Sequence, residues 1–218
     1  MCRIRGFFVN DSPKRASCEL SSKRKAMTMT SVDKLVILEI GVNDWIGKLK
    51  ELFLQYEIEP NPISNESAIA QSEKTLGFRF QNSMREFYLE FGGSLDDMEF
   101  RIRLYDASKM IALVDADWSF VNEHFSETDI SNKIVIGENP ATEPIVLDTD
   151  TSEIYLFSHD PIGQFKIYES FEQLILDNII AIQIEFDDIE LTRDEEIQLK
   201  KKFVPGDNID YEMRYLKI

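Results

Sequence analysis

Between Ile134 and Tyr168 four short apolar runs follow one another: Ile134-Val135-Ile136-Gly137, Pro144 to Asp148, Glu153 to Ser158 and Gln164 to Tyr168. The link between the middle two, Asp148-Thr149-Asp150-Thr151-Ser152, is short and polar, so it reads as a hairpin loop and implies antiparallel pairing. A meander of this kind must bury at least one face, and helical patterns on both sides of it supply the apolar surface.

Before the meander, Trp45, Leu49, Leu52, Phe53 and Tyr56 recur at helical spacing, with Pro60 and Pro62 as the stop. Val32 to Ile40 is an apolar run that fits a strand or a further helical turn. A helix opens at Ser64 and runs to Leu76, with Gly77 at its C′ position. Ser83 and Glu86 have the spacing of a capping box for the next helix, whose Met84, Phe87, Tyr88 and Phe91 form one stripe ended by Gly92-Gly93. Phe100 to Leu104 is a candidate strand, and Ala107 to Phe125, with Trp118, a helical stretch.

After the meander, Ser170 and Gln173 make a second box, leading a helix with Phe171, Leu174, Ile175 and Asn178 in line. The alternation Ile182, Ile184, Phe186 predicts a strand. Thr192 and Glu195 make a third box, with acidic residues in the first turn of its helix and Lys200 to Lys202 in the last, as the helix dipole favours. Ile209, Tyr211, Met213 and Tyr215 alternate as a C-terminal strand. The expected fold class is α+β, a mainly antiparallel sheet packed with helices.

The order of these segments resembles the SUKH superfamily. The carrying residues are Ser64-Asn65-Glu66 to Leu76-Gly77-Phe78-Arg79-Phe80 and Met84-Arg85-Glu86-Phe87-Tyr88-Leu89-Glu90-Phe91-Gly92-Gly93. Ile136-Gly137-Glu138-Asn139, Pro144 to Asp148, Glu153 to Asp160 and Ser170 to Ile175 resemble the family's central strands and closing helix. Two departures stand out: Gln81 where proline is usual, and Pro140-Ala141-Thr142-Glu143 where glycines are common. The implied organisation is a basic tail over 1–30, an accessory element over 31–63, a SUKH-like core over 64–184 and an extension over 185–218 packed on it.

Charge bears on partners. The formal net charge is −16, yet Arg3, Arg5, Lys14, Arg15, Lys23, Arg24 and Lys25 face only Asp11 and Glu19 in the opening stretch, so the remainder is more acidic still. Such a body is repelled by nucleic acid and anionic lipid and attracted to basic proteins. Met27 and Met29 are alternative starts, and Lys23-Arg24-Lys25 reads as part of a basic tail. Cys2 and Cys18 make no disulfide framework or four-ligand metal cluster, which fits a reducing cytoplasm. No run approaches 18 apolar residues.

Chemistry is sparse. The two histidines are His124 and His159; His159-Asp160 imitates a base and its orienter, but sequence neighbours at a strand end do not point at one another. Asp148, Asp150 and Ser152 imitate the start of a calcium loop, with Glu153 where glycine is needed and His159 where glutamate is needed. No catalytic, cofactor or metal site is expected.

The resemblance therefore implies an immunity-type protein that binds and neutralises a cognate basic toxin domain, such as a nuclease; the alternative is a regulatory scaffold like the cell-wall-assembly regulators. The expected partner surface is acidic loop and hairpin residues: Asp96, Asp97, Glu143, Asp148, Asp150 and Glu153. The acidic cluster from Glu185 to Glu196, whose one basic residue is Arg193, is the rival surface.

Overall fold

A computed structural model describes residues 45–59, 64–93 and 102–203. The basic tail, the Val32 to Ile40 run, Pro60, Pro62, Phe100 and the C-terminal alternation from Ile209 lie outside those residues.

Helix α1 (Trp45–Gln55) buries Trp45, Leu49, Leu52 and Phe53, the stripe its spacing predicts. Helix α2 (Glu66–Leu76) is capped by Asn65, whose side chain accepts from Ala68 N at 2.8 Å, and ends at Gly77 with φ 64°, a left-handed turn that glycine adopts without Cβ strain. Helix α3 (Asn82–Phe91) buries Met84, Phe87, Tyr88 and Phe91 and stops at Gly92 and Gly93, φ 75° and 119°.

The α3 capping box does not form. The helix is already closed at Gln81, whose carbonyl accepts from Arg85 N at 2.8 Å, so Ser83 lies inside the first turn. Gln81, where the resembled family usually has proline, bonds through its side chain to Ser152 in the turn between Asp148 and Ile154. The α2–α3 link is held instead by Glu73, which accepts from Phe80 N at 3.0 Å and Arg85 Nη1 at 3.1 Å.

The predicted helix over Ala107 to Phe125 is overturned. Strand β1 (Arg103–Leu104) and strand β2 (Ile111–Ala112) both pair with β3 (Lys133–Glu138), and single 3-10 turns at Ala107–Lys109 and Leu113–Asp115 separate and follow β2. Only α4 (Ser119–His124) is helical there, followed by α5 (Glu127–Ile130), which carries a Ser126–Asp129 capping box. Pairing to β3 outweighs the modest helix preference of the segment.

The meander is antiparallel as expected: β3, β4 (Pro144–Asp148), β5 (Ile154–His159) and β6 (Ile162–Tyr168) pair in succession, giving the order β1-β3-β4-β5-β6 with β2 also on β3. The protein is thus a mixed α+β fold with an antiparallel sheet packed against helices.

The predicted strand at Ile182 to Phe186 is the end of one long helix, α6 (Phe171–Phe186). Ile179, Ile180, Ile182 and Gln183 are all buried, and a helix covered on most sides shows no clean period with which to reject an alternating reading. Ser170 caps it, accepting from Gln173 N, while Gln173 Oε1 takes Glu169 N rather than the cap's own N–H. The Thr192–Glu195 box forms and starts α7 (Arg193–Phe203).

Two apolar clusters sandwich the sheet. Helices α1, α2, α3, α6 and α7 pack on Ile134, Ile136, Ile145, Leu147, Ile154 and Leu156. On the other face, Leu113, Ala116, Val121 and Ile130 cover Val135, Val146 and Phe157, with Phe125 edge-on to Phe157 at 4.8 Å. The segment 111–132 is therefore the cover of the second face.

Phe87 lies within 6.3 Å, centroid to centroid, of Trp45, Tyr88, Phe91 and Phe171, tying α1, α3 and α6 together at 2% exposure. Phe87→Ala is expected to cost about 3–5 kcal/mol in a denaturant titration; a loss under about 1 kcal/mol would remove it from the core. At Gly137, where β3 is bulged, an added Cβ would stand 2.3 Å from the Arg103 carbonyl oxygen. Gly137→Ala is therefore expected to destabilise by roughly 1–3 kcal/mol in the same assay; an unchanged midpoint would contradict the close β1–β3 approach.

Candidate functional site

Strand β4 is central, with β3 on one side and β5 on the other, and all five of its residues are buried. A carboxylate stands at each end of it, Glu143 just before and Asp148 as its last residue. Both were expected on a binding surface, and both are buried, at 2% and 5% exposure. A carboxylate removed from water is tolerated only with several donors around it, and each has them.

Asp148 holds the β4–β5 turn. Its Oδ1 accepts from Asp150 N at 2.8 Å and Thr151 N at 2.9 Å, the local ring that an aspartate at a turn start forms. Its Oδ2 meets Lys133 Nζ at 2.6 Å and Asn132 Nδ2 at 3.1 Å. Lys133 is itself buried and lies over the Tyr155 ring, 5.4 Å from its centroid. Burial alone would raise the Asp148 carboxyl, but the Lys133 bond, the two turn N–H groups and the Lys133 charge hold it below the usual carboxylate range.

Glu153 is half-buried and neutralised. It accepts from the Tyr155 hydroxyl and from Lys166 Nζ at 3.1 Å. The Tyr155 bond first, then, against desolvation, Lys166 and Thr151 keep its carboxyl low. Burial, followed by Glu153, pushes the Tyr155 hydroxyl up to about 12.

Glu143 is the second hub. Its Oε1 accepts from Ser158 Oγ at 2.8 Å and His159 N at 2.9 Å, and its Oε2 from Asn139 Nδ2 at 2.7 Å. His159 Nδ1 stands 2.7 Å from the same Oε1. The carboxylate at the imidazole is therefore Glu143, at the start of the neighbouring strand. Ser158 points its hydroxyl at the carboxylate and not at the imidazole, so the three groups do not form a nucleophilic relay.

Of the six expected surface residues, Asp150 is exposed, bonded to Asn132 Nδ2 at 3.0 Å. Asp96 and Asp97 lie outside the described residues. The rival run exposes Glu185, Asp187, Asp188, Glu190 and Asp194, with Asp187 accepting from Tyr56 at 2.8 Å.

The cover segment is masked in the sequence by a helix-like pattern over most of its length. Between Ile111 and Asn132 it exposes Asp115, Asp117, Glu123, Glu127 and Asp129 and contains neither lysine nor arginine. Half-buried Trp118, Phe120 and Phe125 lie among them. Trp118 Nε1 donates to the Thr142 carbonyl at 3.1 Å, and Phe120 lies against His159 with centroids 6.0 Å apart. These contacts join the cover to the β3–β4 turn and the end of β5.

Among the described residues no three histidine, cysteine, aspartate or glutamate side chains come together to hold a metal ion, and no helix is long and apolar enough to cross a membrane.

Residues 64–177, a little over half of the chain, match the model of the SMI1 / KNR4 family (SUKH-1). No curated protein matches the chain. The match spans the described elements from α2 into the first half of α6.

Because Asp148 and Glu153 titrate below the ordinary range in the folded chain, their stabilisation is complete above that range and is lost as pH falls through the depressed values. Asp148→Asn leaves buried Lys133 without its counter-charge and is expected to cost about 3–5 kcal/mol near neutral pH, while flattening the loss of stability below about pH 4. Urea titrations of both proteins across that range check this; an acid limb of equal slope in the two would contradict it.

Proposed function

The chain belongs to the SMI1/KNR4 family (SUKH-1), and on that basis we propose that it is an immunity-type binding protein that neutralises a cognate basic toxin domain, such as a nuclease. The observation that carries this reading is the distribution of carboxylates over the sheet. Those at the ends of β4 are turned inward to lysine, histidine and amide partners, whereas the cover segment holds five exposed carboxylates and neither lysine nor arginine.

A surface of that kind steers a basic partner and raises the rate of encounter more than it lowers the rate of escape. The desolvated centre of the contact comes from the aromatics set among the charges, Trp118 and Phe120, with acids at the rim. Asp150 adds charge at the opposite end of the neighbouring strands. A toxin that acts on nucleic acid carries a basic cleft, and a negative cover of this kind is its electrostatic complement.

The test begins with the full chain as bait in a lysate of the cells that make it, with the retained protein identified by mass spectrometry. Association of that partner is then measured for the wild type, a cover variant (Asp115→Asn, Asp117→Asn, Glu123→Gln, Glu127→Gln) and a matched variant of the rival run (Glu185→Gln, Asp188→Asn, Glu190→Gln, Asp194→Asn). Asp129 and Asp187 are spared because they bond to Ser126 and Tyr56. The cover variant is expected to associate about tenfold more slowly at low salt and to lose most of its salt dependence, with unfolding unchanged. Wild-type association by the cover variant would overturn the assignment, and a retained partner with no basic surface would favour the regulatory scaffold.

A further inference from the structure

Glu143 does more than satisfy the end of β4. Three donors from Ser158, His159 N and Asn139 hold its carboxylate without any help from the imidazole. The Asn139 side-chain Oδ1 in turn accepts from Glu143 N at 2.9 Å, so the carboxylate and its supporting amide are locked together. Against this fixed acceptor the His159 Nδ1 stands at 2.7 Å. A bare nitrogen lone pair facing a carboxylate oxygen at that distance is repulsive, so Nδ1 carries the hydrogen. In the neutral ring the lone pair is then on Nε2.

The imidazole itself is on the outside, with a side-chain exposure of 56%, and Phe120 from the cover segment lies against it. An exposed histidine ordinarily samples both tautomers and several rotamers. Here a buried carboxylate fixes the tautomer and a phenyl ring limits the swing, a cost in freedom that brings the core no further hydrogen bond. Preorganisation of this kind at a surface belongs to recognition.

We infer that His159 is a partner-contact residue that presents Nε2 as a hydrogen-bond acceptor to a cationic side chain, arginine or lysine, of the basic protein bound at the cover segment, with Glu143 as its positioning residue. The inference rests on the reading given above and deepens it. The acidic residues of this neighbourhood suit a cationic donor: Glu143 lies at Nδ1, and Asp117 and Glu123 stand three residues either side of Phe120 in the cover segment.

Two measurements test it. The first is the nitrogen spectrum of His159 in the full-length chain at about pH 8.5, where imidazoles are neutral. Nδ1 is expected to resonate as protonated and Nε2 as a bare acceptor; the reverse assignment overturns the inference without any partner present. The second uses the partner recovered with the full chain as bait. His159→Ala and His159→Phe are both expected to raise its dissociation rate about tenfold, the worth of one charge-assisted hydrogen bond, with little change in association. Both variants leave Glu143 its three other donors, so folding is retained. The phenylalanine variant keeps a ring against Phe120, so wild-type dissociation by His159→Phe would show that packing is the contact and overturn the acceptor role. Wild-type dissociation by both variants, with association still slowed in the cover variant, overturns this inference alone. Failure to recover a basic partner overturns it together with the function proposed above.

Discussion

Burial of β4 on both faces is the constraint on which the rest of this structure depends. With β3 and β5 paired to its edges and an apolar layer on each side, every residue from Pro144 to Asp148 is buried. The helical layer on one face is thick and aromatic, and the cover on the other is a single irregular stretch of chain. Because the strand is buried to its ends, the carboxylates at those ends must be answered from within. Lys133, Asn132 and the turn amides answer Asp148; Ser158, Asn139 and the His159 backbone answer Glu143. Leaving either without donors would cost more than a typical surface interaction returns.

That inward turning redistributes the charge of a very acidic chain. Acids in the polar turn after β4 serve the turn: Asp148 closes it and Glu153 braces it against Lys166. The acids left to act on something outside are those whose backbone is held by apolar neighbours on the far side. The cover segment has this construction. Leu113, Ala116, Val121 and Ile130 face the sheet while the intervening carboxylates face away. The same elements therefore anchor the segment and present its charge, so charge can be removed there with little effect on the core.

Much of this was legible in the sequence. The aromatic stripe of α3, the glycine stops after α2 and α3, and the four strands of the meander all follow from spacing, because each pattern matches one geometry only. The misreadings share a cause. Ala107 to Phe125 and Ile182 to Phe186 are places where local preference is weak and tertiary contact decides: β2 is a strand because β3 pairs with it, and α6 runs to Phe186 because its apolar sides are covered. The burial of Glu143 and Asp148 is hidden in the sequence for a related reason. A polar residue in a predicted turn reads as exposed, yet Glu143 and Asp148 act as internal hydrogen-bond centres, and nothing in their local sequence distinguishes that role. Ser126 and Asp129 have the spacing of a capping box, a local signal for α5 inside the cover segment.

The account turns on which carboxylates face outward, and carboxyl footprinting reads that directly. The folded full-length chain would be treated briefly with a water-soluble carbodiimide and an amine, and the labelled positions quantified by mass spectrometry. Asp115, Asp117, Glu123 and Glu127 are predicted to label freely, and Glu143 and Asp148 to be protected by at least about tenfold relative to the denatured chain, in keeping with their hydrogen-bonded burial. Labelling of Glu143 and Asp148 as fast as the cover-segment acids would contradict the account at its centre.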